Sequence, residues 1–344
     1  MHAVFASVRL CGLVPVPMTD VEAVKDQGGK GRYLNLQSCK SPWSCIECAT
    51  ALERQRGLLL RGVVEEHGQE KVELVTLTVS HAKGNDLRGM RRDMARAWGK
   101  MQAHRSFREL GVELVRALEV TYSGMSGWHP HYHVGMGFPE ALSPAERERI
   151  KALLCKLWID AVVKVLGAEH APSVERGVDM RLVRDAAYLT KLVGELTSSS
   201  RKESRRPGHL MPWEIARKAA DGSPGYLKLW QEYQAAMKGA KALTWSAGWR
   251  ALRDRVQARL DAEEVDAKKG KPEPVRMLVI PGEQWTEVRH VRLPDGRLGR
   301  QAILSAIDAG ATVGELQVLL DEMQRIAAPR GRKLPEASQG PPAG

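Results

Sequence analysis

The residues best placed to do chemistry are two histidines two residues apart on an extended segment. Residues 128–138 read WHPHYHVGMGF. Tyr132, Val134, Met136 and Phe138 alternate with His131, His133, Gly135 and Gly137, the period-two pattern of a strand. On a strand, His131 and His133 project to the same side. Two neutral imidazoles in parallel are the beginning of a metal site. Gly135 and Gly137 bring no side chain to that face and leave room above it for a large group.

The segment before it supplies a carboxylate. Residues 112–122 (VELVRALEVTY) also alternate, and Gly124 and Gly127 signal a hairpin between the two runs. A turn centred near Ser126 sets Glu119 opposite His133 and Thr121 opposite His131. Two imidazoles and one carboxylate on one face suit an octahedral divalent ion such as Mg²⁺ or Mn²⁺ with open positions. A half-exposed strand whose histidines bind water or phosphate has the same spacing. Spacing alone leaves both readings open.

The string His131-Tyr132-His133 resembles the histidine–hydrophobic–histidine motif of HUH endonucleases. The longer WHPHYHV is similar to that of plasmid rolling-circle replication initiators, especially those of actinobacterial plasmids. The resemblance runs from about Leu10 to about Arg250. It takes in an early CGLVPV, a three-cysteine cluster, TLTVSH, LEVTYSGMSGWHPHYHV, a tyrosine–lysine helix and an LTWS segment, in matching order. It implies an α+β fold with a central antiparallel β-sheet flanked by helices, and a divalent ion on the histidine strand. It further implies a tyrosine that attacks a DNA phosphodiester.

Residues 179–198 (DMRLVRDAAYLTKLVGELTS) hold that tyrosine. Ala186, Leu189, Val193 and Leu196 step as the core face of a helix preceded by a short strand. Tyr188, Lys191 and Glu195 share a different face. By itself this describes a boundary tyrosine with its hydroxyl in water. The resemblance makes Tyr188 the nucleophile, with Lys191 lowering the hydroxyl pKa or binding the scissile phosphate. Some relatives place a glutamate four residues before the tyrosine, to activate the water that ends replication. Arg184 stands there in this chain, which leaves Asp185 or Glu195 for that step.

Cysteine usage points to a second metal. Five cysteines, an odd number with three clustered, argue for a reducing cytoplasm and metal rather than disulfides. Cys45-x2-Cys48 is a knuckle that holds two thiolates at zinc distance, and Cys39 can close toward it. A structural Zn²⁺ needs four ligands. Cys11 is the choice for the fourth because it sits in the matching CGLVPV segment, with His67 or His81 as alternatives. Such a site would staple a loop-rich N-terminal segment with little core of its own. Cys155 reads as a core thiol on a helix.

The 344 residues carry 52 Lys and Arg against 41 Asp and Glu, a formal net charge of +11. That balance favours nucleic acid as partner. No apolar run is long enough for a transmembrane helix, and the N-terminus makes a poor signal peptide, which places the protein in the cytoplasm without a membrane partner. Arg201, Lys202, Arg205 and Arg206 open a basic loop beside the tyrosine helix, and phosphate contact is their expected use. The Arg88, Arg92 and Arg96 stripe on the helix expected over residues 87–107 reads instead as a solvated face. A capping box from Ser143 to Glu146 opens a helix through about Leu166.

These features divide the chain into an N-terminal segment with the cysteine cluster (1–66) and an HUH endonuclease domain (67–200). A basic loop and helical extension (201–265), a linker (266–274), a small C-terminal unit (275–328) and a disordered tail (329–344) follow, so the C-terminal region is mostly helical. Residues 1–35 look irregular. The function implied is nicking of one strand of single-stranded or hairpin plasmid origin DNA, with host helicase and polymerase as further partners. A transposase or relaxase of the same superfamily would share the chemistry. A non-catalytic zinc-containing regulator would explain charge and cysteines only, and a small-molecule zinc hydrolase only the histidines.

Overall fold

The computed structural model describes residues 8, 10–183, 192–194, 204, 207–269 and 272–328. Its strands are β1 (Val21–Lys25), β2 (Gly31–Leu34), β3 (Val72–Leu77), β4 (Glu113–Ser123), β5 (Gly127–Gly137), β6 (Val178–Leu182), β7 (His209–Leu210), β8 (Leu243–Trp245) and β9 (Val275–Ile280). Its longer helices are α1 (Ile46–His67), α2 (Leu87–Ala103), α3 (Pro144–Leu166), α4 (Pro212–Ala220), α5 (Pro224–Met237), α6 (Ala247–Lys268), α7 (Gly282–Val288), α8 (Gly299–Asp308) and α9 (Val313–Ala327). They form two compact units, one from Lys40–Ala267 and one from Met1–Cys39 with Lys268–Gly344.

The larger unit is built on a six-stranded sheet in the order β6-β3-β5-β4-β7, with β8 also on β4. Every pairing is antiparallel. One face of the sheet is mostly apolar, with buried Glu73 paired to Arg147 and Arg116 lying over the Tyr132 and Trp98 rings. Tyr132, Val134 and Met136 of β5, with Val75, Leu77, Leu118 and Val120, pack against Met94 and Trp98 of α2 and Leu154 and Trp158 of α3. The other face is apolar only at one end. There Leu74, Val115 and Ala117 pack against Leu60 and Val64 of α1, Trp245, and Trp249 and Val256 of α6. Val183 and Leu192 belong to the same cluster. The fold is therefore α+β, an antiparallel sheet flanked by helices, as expected from the alternating strands.

Local signals set most helix ends. The Ser143 side chain accepts from the Glu146 N–H at 3.3 Å, while the Glu146 carboxylate accepts from the Ser143 N–H at 2.9 Å. That reciprocal cap and Pro144 start α3 where the sequence said. The helix expected over residues 87–107 stops sooner, at Ala103. His104 has extended backbone, and its Nδ1 accepts from the Ser106 N–H to begin a separate turn, Arg105–Arg108. Arg88, Arg92 and Arg96 are exposed, the solvated face that their stripe described.

The smaller unit is a three-stranded antiparallel sheet in the order β2-β1-β9. Val21, Ala23, Leu278 and Ile280 pack against Trp285, Ile303, Ile307, Leu316 and Leu320 of α7, α8 and α9. Residues 21–34, expected to be irregular, form a hairpin here. The C-terminal segment 275–328 thus completes its sheet with strands from the opposite end of the sequence.

Candidate metal centre

Glu119, His131 and His133 converge on one point of the sheet. Glu119 Oε2 lies 2.8 Å from His131 Nε2 and 2.7 Å from His133 Nε2. The side chains are 11%, 12% and 8% exposed, so the cluster is nearly shut off from solvent. A carboxylate at that depth is costly unless a cation or hydrogen bonds match it.

Strand register produces the convergence, and it differs from the expected one by two residues. Glu119 pairs with His131, Thr121 with His129, and Ala117 with His133. The turn centres on Met125 rather than Ser126, because Ser123 pairs with Gly127. Gly127 has φ +77°, and a Cβ there would lie 3.3 Å from the Lys83 Cα. A shift of two keeps every side chain on its face. Glu119 therefore stays among the histidines but reaches His133 diagonally. The residue directly opposite His133 is Ala117, whose methyl group leaves that diagonal open.

The far nitrogens of both rings are also held. Thr76 on β3 pairs with His133, and its Oγ1 lies 3.2 Å from Nδ1. His131 Nδ1 lies 3.4 Å from the His129 carbonyl oxygen. A cation bound through Nε2 needs the ring proton on Nδ1, and these two oxygens accept it there. One carboxylate oxygen and two imidazoles within 4.8 Å of one another can hold a metal ion. The mixture of hard oxygen and borderline nitrogen fits a divalent first-row ion or Mg²⁺.

Gly137 does not leave the space foreseen for it. A Cβ on Gly137 would run into the Trp249 ring and His67. Trp249 Nε1–H donates to His67 Nδ1 at 3.2 Å, which sends the His67 Nε2–H to the Phe138 carbonyl at 3.0 Å. The protein's own indole lies over that end of β5, and His67 is spent on holding it.

Of the four cysteines expected to bind zinc, Cys11 and Cys39 fall in the smaller unit and Cys45 and Cys48 in the larger. The Cys39 N–H donates to Cys11 Sγ at 3.3 Å. Four thiols are the donor set that a structural zinc site uses. Cys155 stands apart, its thiol donating to the Val174 carbonyl at 3.5 Å. Tyr188, Lys191, Asp185 and Glu195, and Arg201, Lys202, Arg205 and Arg206, lie outside the described residues.

Two contributors escaped the sequence. Thr76 sits on the histidine face by its alternation with Val75 and Leu77, but only the register between β3 and β5 sets it opposite His133. Ala117 carries no signal of its own in the sequence, and its place opposite His133 follows from the register.

With this geometry in hand, comparison with known proteins is decisive for the family. The pattern of the replication protein family matches residues 31–206. The chain belongs to the replication protein family. It is also similar to "Protein rep" from Streptomyces lividans, 24% identical over 326 aligned residues that cover 73% of this chain and 71% of the relative. No solved structure matches it. The resemblance to a replication protein read from the motifs agrees with both. The family match spans Cys39, Cys45 and Cys48, the Glu119–His131–His133 cluster and Tyr188 of this replication protein. No helix among its described residues is long and apolar enough to cross a membrane.

Proposed function

We propose that this protein initiates rolling-circle replication of a plasmid by nicking one strand of origin DNA. The observation that carries the reading is a nearly buried carboxylate between two imidazoles, in a member of a replication protein family. Glu119, His131 and His133 would hold a Mg²⁺ or Mn²⁺ ion, which supplies Lewis-acid polarisation of the scissile phosphate. Thr76 and the His129 carbonyl hold the two rings in the required tautomer.

The nucleophile in this reading is Tyr188. Its oxygen bonds to phosphorus as the bond from phosphorus to the 3′ oxygen breaks. The phenol gives up its proton, and the 3′ oxygen gains one. A 5′-phosphotyrosine link and a free 3′-hydroxyl primer result, and rejoining reverses the step. A phenol with a pKa of about 10 is a weak nucleophile at neutral pH, which gives Lys191 its role. Asp185 or Glu195 would activate water at termination. Arg201, Lys202, Arg205 and Arg206 would bind flanking phosphates.

Leu192 supports the pairing of tyrosine and metal centre. It is fully buried with Leu74, Val115 and Ala117, on the sheet face that also carries His131 and His133. Tyr188 stands four residues before Leu192 in the sequence. The endonuclease in this reading is residues 67–200, extended by 201–265, with a Zn²⁺ on the four cysteines. It acts in the cytoplasm on single-stranded or hairpin origin DNA and hands the primer to host helicase and polymerase.

The test is a covalent adduct. Labelled single-stranded origin DNA and Mn²⁺ should give a protein–DNA adduct with wild type and none with Tyr188→Phe. Binding without any adduct in wild type would leave only a DNA-binding regulator.

A further inference from the structure

We propose that His129 binds a backbone phosphate of single-stranded DNA next to the one at the metal centre, and that His81 positions it. The inference rests on the nickase reading above. Its starting point is the shape of the histidine face. At the Gly137 end that face is roofed by Trp249 and the helices behind it. At the hairpin end it carries His129 instead, half-buried and next in line after His131 on β5. A strand of DNA that reaches the metal centre along this face passes His129.

The surroundings of His129 are unusually rich in imidazole. Its ring stands edge-to-face against His131 at 5.2 Å between centroids and against His81 at 4.4 Å. His209 on β7 pairs with Ser123 beside the same hairpin. His170 Nδ1–H donates to the Ser80 carbonyl at 2.9 Å, one residue before His81. Four of the chain's ten histidines thus gather at this end in addition to the two in the metal cluster. Among the described residues, none of the four belongs to a group whose donor atoms converge as metal ligands do.

His81 is fixed from both sides. Its Nδ1 faces the Val79 carbonyl at 3.4 Å and its Nε2 faces Ser126 Oγ at 3.3 Å. A neutral ring satisfies both, donating to the carbonyl and accepting from the hydroxyl. Burial, then repulsion from His209, His131 and His170, holds its pKa below the usual histidine value. A ring with both nitrogens engaged contacts no ligand itself, but it sets the plane of the ring packed against it.

An imidazole N–H is a suitable donor to a phosphodiester oxygen. The His129 and His131 rings stand 5.2 Å apart between centroids on the same face of β5. Contacts of this kind fix the path of the backbone and carry no base preference.

Binding of labelled single-stranded DNA of random sequence, followed by fluorescence anisotropy in Mn²⁺, tests this without requiring cleavage. His129→Ala should weaken binding about tenfold, the loss of one hydrogen bond to a charged group. His81→Ala should weaken it less, and His129→Asn, which keeps an N–H donor, should recover part of the loss. A strand with a neutral methylphosphonate backbone should bind wild type and His129→Ala alike. Mn²⁺ affinity, read by electron paramagnetic resonance, should match wild type. An equal loss on both backbones, a parallel loss of Mn²⁺, or no loss at all overturns the inference. If His129→Ala does not fold, His129→Asn and His81→Ala carry the comparison. Wild type that fails to bind single-stranded DNA at all is a different result, and it removes the nickase reading as well.

Discussion

Thr76 braces His133 from behind, its Oγ1 3.2 Å from Nδ1 on the side of the ring away from Glu119. An outer partner of this kind sets both the tautomer and the orientation of a metal-binding ring. Thr76→Val keeps the shape and removes the hydroxyl. Mn²⁺ affinity should fall about 10- to 100-fold, and Thr76→Ser should restore it. Unchanged affinity in Thr76→Val, measured by calorimetry, would show that the hydroxyl does not matter.

Leu192 should couple stability to nicking. Leu192→Ala removes a fully buried side chain from the cluster over the histidine face, at a cost of about 2–5 kcal/mol. At a temperature where the variant is still folded, adduct formation should drop while Mn²⁺ affinity holds. Loss of Mn²⁺ affinity in step with the adduct would place its effect on the sheet instead.

Gly137 should tolerate no side chain. Gly137→Ala forces a methyl group against the Trp249 ring and His67. Overpacking of this sort costs about 1–3 kcal/mol, read as a lowered midpoint in urea with an unchanged slope. A variant as stable as wild type would mean that Trp249 moves aside freely.

The cysteine group should hold zinc at one ion per chain, measured by plasma mass spectrometry on the purified protein. Cys45→Ser should lose the ion and lower the melting temperature. Cys155→Ser should retain it, since Cys155 lies outside the group. A full complement of zinc in Cys45→Ser would exclude the four-thiol site.

His81 should make stability fall in mild acid. Its folded pKa lies below the usual histidine value, so the unfolded chain takes up the proton first. The loss begins as pH drops through about 6.5, the unfolded value, and levels off below the folded value. Denaturation of wild type and His81→Gln across that range isolates the part due to His81. Parallel curves would refute it.

The sequence by itself determined much of the site's content. The alternation in residues 112–122 and 128–138 assigned two strands and put Glu119, His131 and His133 on one face. That held even though the expected register was off by two, because a two-residue slip preserves faces. The capping boxes at Ser143 and the cysteine spacing were equally local and equally readable. What failed were statements about neighbours. The glycines of β5 looked like room for a ligand, yet Gly137 lies under Trp249, a residue from a helix more than a hundred positions along the chain.

Only the tertiary structure decided the register between β3 and β5, and so that Thr76 backs His133. It also decided that Val21–Lys25 shares a sheet with Val275–Ile280, when the first of these had read as irregular. The reason is physical. Periodicity, caps and ligand spacing are set by interactions among residues a few positions apart, and a sequence displays those directly. The pairing of distant strands is set by which apolar faces can be buried together, and that choice is made by the whole chain at once.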